Sequence, residues 1–177
     1  MKNYTQAPLP FQGQKRKLLR AFKEALNGCA ETATFVDLFG GSGFLSHTVK
    51  QHFPEARVIY NDFDNYSERL ANVENTNAII ADLREIVKDL PDAQRITGEY
   101  KERILERIEQ EIGFVDCITI SSSLLFSMKY VTEKAAFQKE TLYNNVKQSD
   151  YFVDGYLDGV EIVTADYRRL FEEYKNT

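Results

Sequence analysis

The stretch Thr34-Phe35-Val36-Asp37-Leu38-Phe39-Gly40-Gly41-Ser42-Gly43-Phe44 decides the fold. Its first six residues are a short apolar run broken by one acid, the length and composition of a buried strand. Three glycines in the next four positions end it in a tight turn. A helix then follows from Phe44 to about His52, ahead of Pro54. Arg57-Val58-Ile59-Tyr60-Asn61 predicts a second strand, and its Asn61-Asp62 end opens into a helical stretch over Tyr66–Leu90. Strand, glycine turn, helix, strand, acid, helix is the opening of a doubly wound α/β fold, where ligands bind at the carboxyl ends of the strands.

On the N-terminal side, residues 1–13 are polar and proline-punctuated, and Gln14 to Asn27 predicts an amphipathic helix with Leu18, Leu19, Phe22 and Leu26 on its apolar side, stopped by Gly28. On the C-terminal side, Pro91-Asp92 breaks the pattern. A charge-rich helix starts at Thr97, with Tyr100, Ile104, Ile108 and Ile112 at helical spacing. Cys117 to Ile120 reads as a short strand, though Ser121 to Met128 fits a continuing helix equally well, and residues 129–156 are polar and aromatic without a clear period. Val160 to Thr164 predicts a third strand, and Asp166 caps a final helix over Tyr167–Tyr174.

The 177 residues are 43% hydrophobic and 28% charged, enough for a packed core in one domain with a sizeable insertion. No run approaches the roughly 18 apolar residues of a membrane helix. The N-terminus lacks the apolar stretch of a secretory signal. A cytoplasmic protein without membrane attachment is expected. Cys29 and Cys117 lie far apart and read as buried, reduced thiols. His47 and His52 do not share a helix face, so no metal site is expected. With 22 basic and 27 acidic side chains the net charge is -5, which argues against coating DNA non-specifically but not against a local basic patch.

Three constellations carry chemistry. In the first, Gly41 and Gly43 supply part of a dinucleotide fingerprint, but position 46 is Ser46 and Asp37 precedes the turn. An acid there repels a pyrophosphate and attracts a cation, such as the ammonium of an amino-acid-bearing cofactor. In the second, Asp62 stands nineteen residues beyond Gly43, close to the roughly 20 at which an acid meets ribose hydroxyls. Phe63 beside it can pack on an adenine ring. The alternative is that Asp62 or Asp64 caps the following helix. The third, Phe11-Gln12-Gly13-Gln14-Lys15 with Arg16, Lys17, Arg20 and Lys23 behind it, is a glycine turn into a basic helix.

Together these residues resemble the Dam-like (D12 class) adenine-N6-specific DNA methyltransferases. Phe11, Gly13 and Lys15 match that family's aromatic-x-Gly-x-Lys element; Asp37, Phe39, Gly41 and Gly43 match its D-x-F-x-G-x-G turn; Asp62 matches the acid ending strand two. The resemblance implies a Rossmann-like methyltransferase fold that binds S-adenosyl-L-methionine (SAM) and acts on double-stranded DNA. It implies a cofactor site of Phe11, Gly13, Lys15, Asp37, Phe39, Gly41, Gly43, Asp62, Phe63 and Asp166, in which Asp37 and Asp62 hold the adenosyl amino acid from opposite ends. Residues 1–91 correspond to the first half of the α/β portion, 92–158 to an inserted, mainly helical target-recognition region, and 159–177 to the third strand and helix. In the recognition region Lys129 and Lys134 can meet phosphates, and Tyr130 and Asn144 base edges.

The family's Asp-Pro-Pro-Tyr signature is missing: Pro8, Pro10, Pro54 and Pro91 are the four prolines, and no two are adjacent. No catalytic residue is assigned in this chain. The expectation is a cofactor-binding portion with an incomplete sheet, whose first strand is an open edge for a second polypeptide or dimer partner. The alternatives are a catalytically inactive DNA- or SAM-binding module and an ordinary nucleotide-binding α/β protein.

Overall fold

The computed structural model describes residues 2–126 and 128–176. The chain divides into two compact units: Met1–Glu68 with Val153–Thr177, and Arg69–Phe152.

The first unit is mixed α/β and built on a parallel sheet. A single 3₁₀ turn, Lys15–Leu18, leads into α1 (Leu19–Leu26). Then come β1 (Thr34–Asp37), α2 (Phe44–His52) and β2 (Arg57–Asn61). With β5 (Glu161–Val163) the sheet order is β1-β2-β5, all parallel, with Val36 opposite Ile59 and Tyr60 opposite Ile162. α7 is Tyr167–Tyr174. Central β2 is buried from Val58 to Asn61, as its unbroken apolar run requires of a strand covered on both faces. β1, at the edge of this sheet, is only half-buried. β5 is mostly exposed and is pinned at its start by a forked ion pair, Arg57 Nε and Nη2 lying 3.0 and 2.9 Å from Glu161 Oε2.

The core beneath β1 and β2 gathers Leu26, Val49, Phe53, Ala56 and Val58, with Phe22, Phe35 and Val160 packed on it. Phe35 and Phe53 stack at 5.6 Å. Leu18, expected on the apolar side of its helix, is 59% exposed. The 3₁₀ turn has three residues per turn rather than 3.6, which rotates Leu18 off the stripe carrying Leu26. Cys29, expected to be buried, is exposed just past the helix end.

The second unit is mainly helical. The stretch read as one helix over Tyr66–Leu90 is two, α3 (Tyr66–Ala71) and α4 (Val73–Val87), broken at Asn72. α4 buries Ile79, Ile80, Leu83, Ile86 and Val87. A two-stranded antiparallel ladder joins β3 (Arg95–Ile96) to β4 (Leu142–Tyr143). α5 spans Gly98–Gln110 and buries Ile104 and Ile108. Ile112 is 93% exposed because the backbone turns extended at Glu111. Cys117–Leu124 is a helix, α6, not a strand. Its start is fixed by Asp116, which accepts from Thr119 N at 3.0 Å and from Arg69 Nε at 2.9 Å. The Cys117 thiol is buried, and burial first, with Asp116 beside it, pushes its pKa up to about 11. No helix among the described residues is long and apolar enough to cross a membrane.

Candidate functional site

The carboxyl ends of β1, β2 and β5 are tied together by one buried amide. Asn61 Nδ2 donates to Leu38 O at 3.1 Å and to Ala165 O at 2.9 Å, and Asn61 Oδ1 accepts from Ala165 N at 3.0 Å. A cavity of about 420 Å³ opens at these strand ends, bounded by Leu38 to Gly41, Asn61, Phe63, Asp64 and Ala165 to Tyr167. Sequence reasoning gave Asn61 no role. Its signal was an amide closing an otherwise apolar central strand, where an unpaired polar group is costly.

The glycine turn needs its glycines for two reasons. Gly41 (φ +54°) and Gly43 (φ +67°) take left-handed backbone, and Gly43 N donates to Gly40 O at 2.9 Å. At Gly40 a Cβ would lie 2.1 Å from Tyr60 Cε2, inside the ring. Tyr60 packs this closely because its hydroxyl reaches Gly41 O at 2.6 Å and Asp62 Oδ1 at 2.9 Å, its single proton serving one acceptor at a time. Burial, then the Asp62 carboxylate, hold its phenol far above the ordinary tyrosine value. Phe11 lies against Gly41, where a Cβ would come within 3.1 Å of the ring, and meets Tyr66 edge-on at 5.7 Å. The structure therefore brings Phe11, Gly41 and Asp62 into one neighbourhood around Tyr60, a residue the sequence reading had counted only as strand.

Asp62 is 2% exposed. Its Oδ1 accepts from Tyr66 N at 2.7 Å and its Oδ2 from Ser67 N at 2.8 Å, so it caps the first turn of α3. Of the two roles open to it in the sequence, the cap is the one formed here. A carboxylate has about four acceptor positions, and with Tyr60 three are engaged. Asp64 and Phe63 are exposed and line the cavity. So does Asp166, whose Oδ1 accepts from Arg168 N at 2.8 Å to cap α7. Phe39 packs on Tyr167 at 4.9 Å across the same opening.

Asp37 does not face this cavity. It lines a separate groove of about 260 Å³ along β1, with Phe22, Val36 and Ser46. Its Oδ2 accepts from Ser46 Oγ at 3.0 Å, and Lys15 Nζ stands 3.7 Å from its Oδ1. Lys15 also donates to Phe39 O. The expected clasp of Asp37 and Asp62 around one ligand is therefore not assembled as a single cavity: neither acid lines the opening at the strand ends, and Lys15, the first residue of the 3₁₀ turn, pairs with Asp37 on the other side of the loop. Gly13 (φ +77°) lets the chain turn into that lysine.

The segment ahead of Phe11 is strapped down by a buried histidine. His47 Nδ1 bonds Tyr156 O, and its Nε2 accepts from Tyr4 N at 3.4 Å. Tyr156 hydroxyl donates to Ser42 O at 3.0 Å in the glycine turn. Further along, Leu9 N donates to the Tyr66 hydroxyl at 3.0 Å. Burial lowers the His47 pKa, opposed by its bond to Tyr156 O.

The candidate DNA contacts of the second unit are largely engaged within it. Lys129 pairs with Glu140, and Lys134 Nζ donates to the carbonyls of Glu109 and Glu111 at 3.1 Å each, closing the end of α5. Tyr130 remains exposed. Asn144 is corrected: it is buried, its Nδ2 donating to Leu90 O at 2.8 Å and to Pro91 O at 3.3 Å, so its amide anchors the β3–β4 ladder and does not present to a base. Among the described residues no group of three or more His, Cys, Asp or Glu can hold a metal ion.

The family profile described as D12 class N6 adenine-specific DNA methyltransferase matches residues 11–161. A Haemophilus influenzae (strain Rd) protein named "putative methyltransferase" is 42% identical over a 185-residue alignment covering 99% of this chain. The chain spans 61% of that relative's length. No solved structure matches.

Proposed function

The chain belongs to the D12 class N6 adenine-specific DNA methyltransferase family, and from that premise we propose that it is the cofactor-binding portion of a SAM-dependent adenine-N6 DNA methyltransferase. One observation carries this reading: the Tyr60 hydroxyl joins the left-handed glycine turn at Gly41 to the acid ending β2, Asp62, beside a cavity at the strand ends. The donor set fits an adenosyl amino acid. Phe39 and Phe63 offer apolar walls for the adenine, and Gly41 lets the backbone approach closely. Asp62 lies behind the lining, between Asn61 and Phe63, with one acceptor position open to a ribose hydroxyl that reaches it, and Asp166 lines the cavity itself. When bound, the cofactor supplies an electrophilic methyl on a sulfonium. The chain's part is to orient it and to keep water from it.

Activating an exocyclic adenine amine calls for hydrogen-bond acceptors at the extruded base. This sequence has no Asp-Pro-Pro-Tyr to supply them, so the chain by itself is proposed to be inactive. The half-buried edge of β1, with Phe22, Phe35 and Val36 along its groove, offers a place for a further strand from a complementary segment or a partner chain. Residues 92–158 are proposed as the target-recognition region, and the cytoplasm as the compartment.

Calorimetry tests the cofactor site: heat is expected with SAM and not with NAD, and the reverse would sink the reading. Methyl transfer to unmethylated duplex DNA is expected only after the complementary segment is added. Inactivity in every combination, with SAM binding intact, would favour the second reading, an inactive SAM- and DNA-binding module, which the missing acceptor motif supports.

A further inference from the structure

We infer that the basic face of the 3₁₀ turn and α1 is a DNA-backbone track, a phosphate-binding surface in the first unit. Arg16, Lys17, Arg20 and Lys23 line an open groove of about 540 Å³ together with Glu24 and His52. All six are exposed. Four cations face one acid in a chain whose net charge is -5. Glu24 pairs with Arg20 at 3.1 Å, but both are well exposed and such an i,i+4 pair is weak enough to yield to a stronger anion. Arg16 donates to a neutral partner, Gln6 Oε1, at 3.0 Å. Among the described residues Lys17 and Lys23 form neither ion pair nor hydrogen bond.

Most cations of the second unit are already engaged. Arg69, Arg84, Arg107 and Lys129 are paired with carboxylates, and Lys101 and Lys134 with backbone carbonyls. Cations already neutralised release few counterions on meeting DNA, whereas unpaired ones release theirs. The groove's only apolar lining residue is Leu19, which disfavours a protein partner, whose interface needs an apolar centre. Arg20 and Lys23 are three residues apart on α1 and so lie on one face, and Arg16 and Lys17 in the 3₁₀ turn line the same groove, so the cations are spread along a track and do not converge on a single phosphate. This inference rests on the reading that the chain's family substrate, DNA, is also its own.

The test is duplex-DNA binding by fluorescence anisotropy between about 50 and 200 mM salt, with the full chain. Replacing Lys17→Gln and Lys23→Gln together is expected to lower the slope of log affinity against log salt by about 1.8, about 0.9 per lost phosphate contact. The pair Lys139→Gln and Lys175→Gln makes the same charge change elsewhere and is expected to leave the slope alone. An unchanged slope in the first pair, an equal loss in the second, or tighter binding of an acidic peptide than of the duplex would each overturn the inference. SAM calorimetry on the same samples separates the two proposals. Wild-type protein that binds SAM but no duplex at the lowest salt refutes the track alone. Protein that binds duplex through Lys17 and Lys23 but gives no heat with SAM refutes the cofactor site alone.

Discussion

Asp62 in the first unit and Asp116 in the second are each 2% exposed, and each holds the start of a helix. They differ in what faces them. Asp116 meets the buried Arg69 guanidinium at 2.9 Å and takes both the amide and the hydroxyl of Thr119. Asp62 meets only neutral donors, the amides of Tyr66 and Ser67 and the Tyr60 hydroxyl. An acid locked against a guanidinium is committed to the fold. An acid held by neutral groups keeps a charge that no ion pair among the described residues compensates.

That contrast can be broken by mutation. Asp116→Ala leaves Arg69 buried without its counter-charge and is expected to cost about 3–5 kcal/mol, read from urea unfolding; adding Arg69→Met is expected to recover much of it. Asp62→Asn removes no partner charge, so a loss of only about 1 kcal/mol is expected, with the heat of SAM binding abolished. Similar stability losses at the two positions, or SAM binding untouched at Asp62, would erase the distinction.

A smaller effect sharpens it through pH. The His47 pKa is lowered in the folded chain, so the unfolded state takes up more protons as pH falls. Its contribution is therefore complete above the ordinary imidazole value, about 6.5, and is lost as pH drops through the lower folded value. The Tyr4 amide, which needs the neutral Nε2, is expected to lose hydrogen-exchange protection over that window. His47→Gln, whose amide can accept from Tyr4 and donate to Tyr156, is expected to flatten the dependence. The second unit contains neither of the chain's two histidines and is expected to show no such step; a parallel loss there would assign the effect to global unfolding.

The elements with dense local signals were legible in the sequence. β2 at Arg57–Asn61, α2 at Phe44–His52 and α7 at Tyr167–Tyr174 fall where glycine turn, apolar run and capping acid placed them. The α6 segment was ambiguous because four apolar or small residues fit either period, and Asp116 with Arg69 decides for helix. Residues 129–156 were illegible because their order is non-local: Phe137 and Leu142 are fully buried without a repeating pattern around them. At the site, Phe39, Gly41, Phe63 and Asp166 line one cavity at the strand ends. Asp37 could not be placed, since its direction depends on Lys15, twenty-two residues away.

The sequence alone determined which residue types end each strand: left-handed turns demand glycine, helix starts demand acceptors, and both are written in neighbouring positions. Only the tertiary structure decided which acid faces a cation. That depends on which side chains burial brings within a few ångströms, and charge interactions fall off with distance in space, not with separation along the chain.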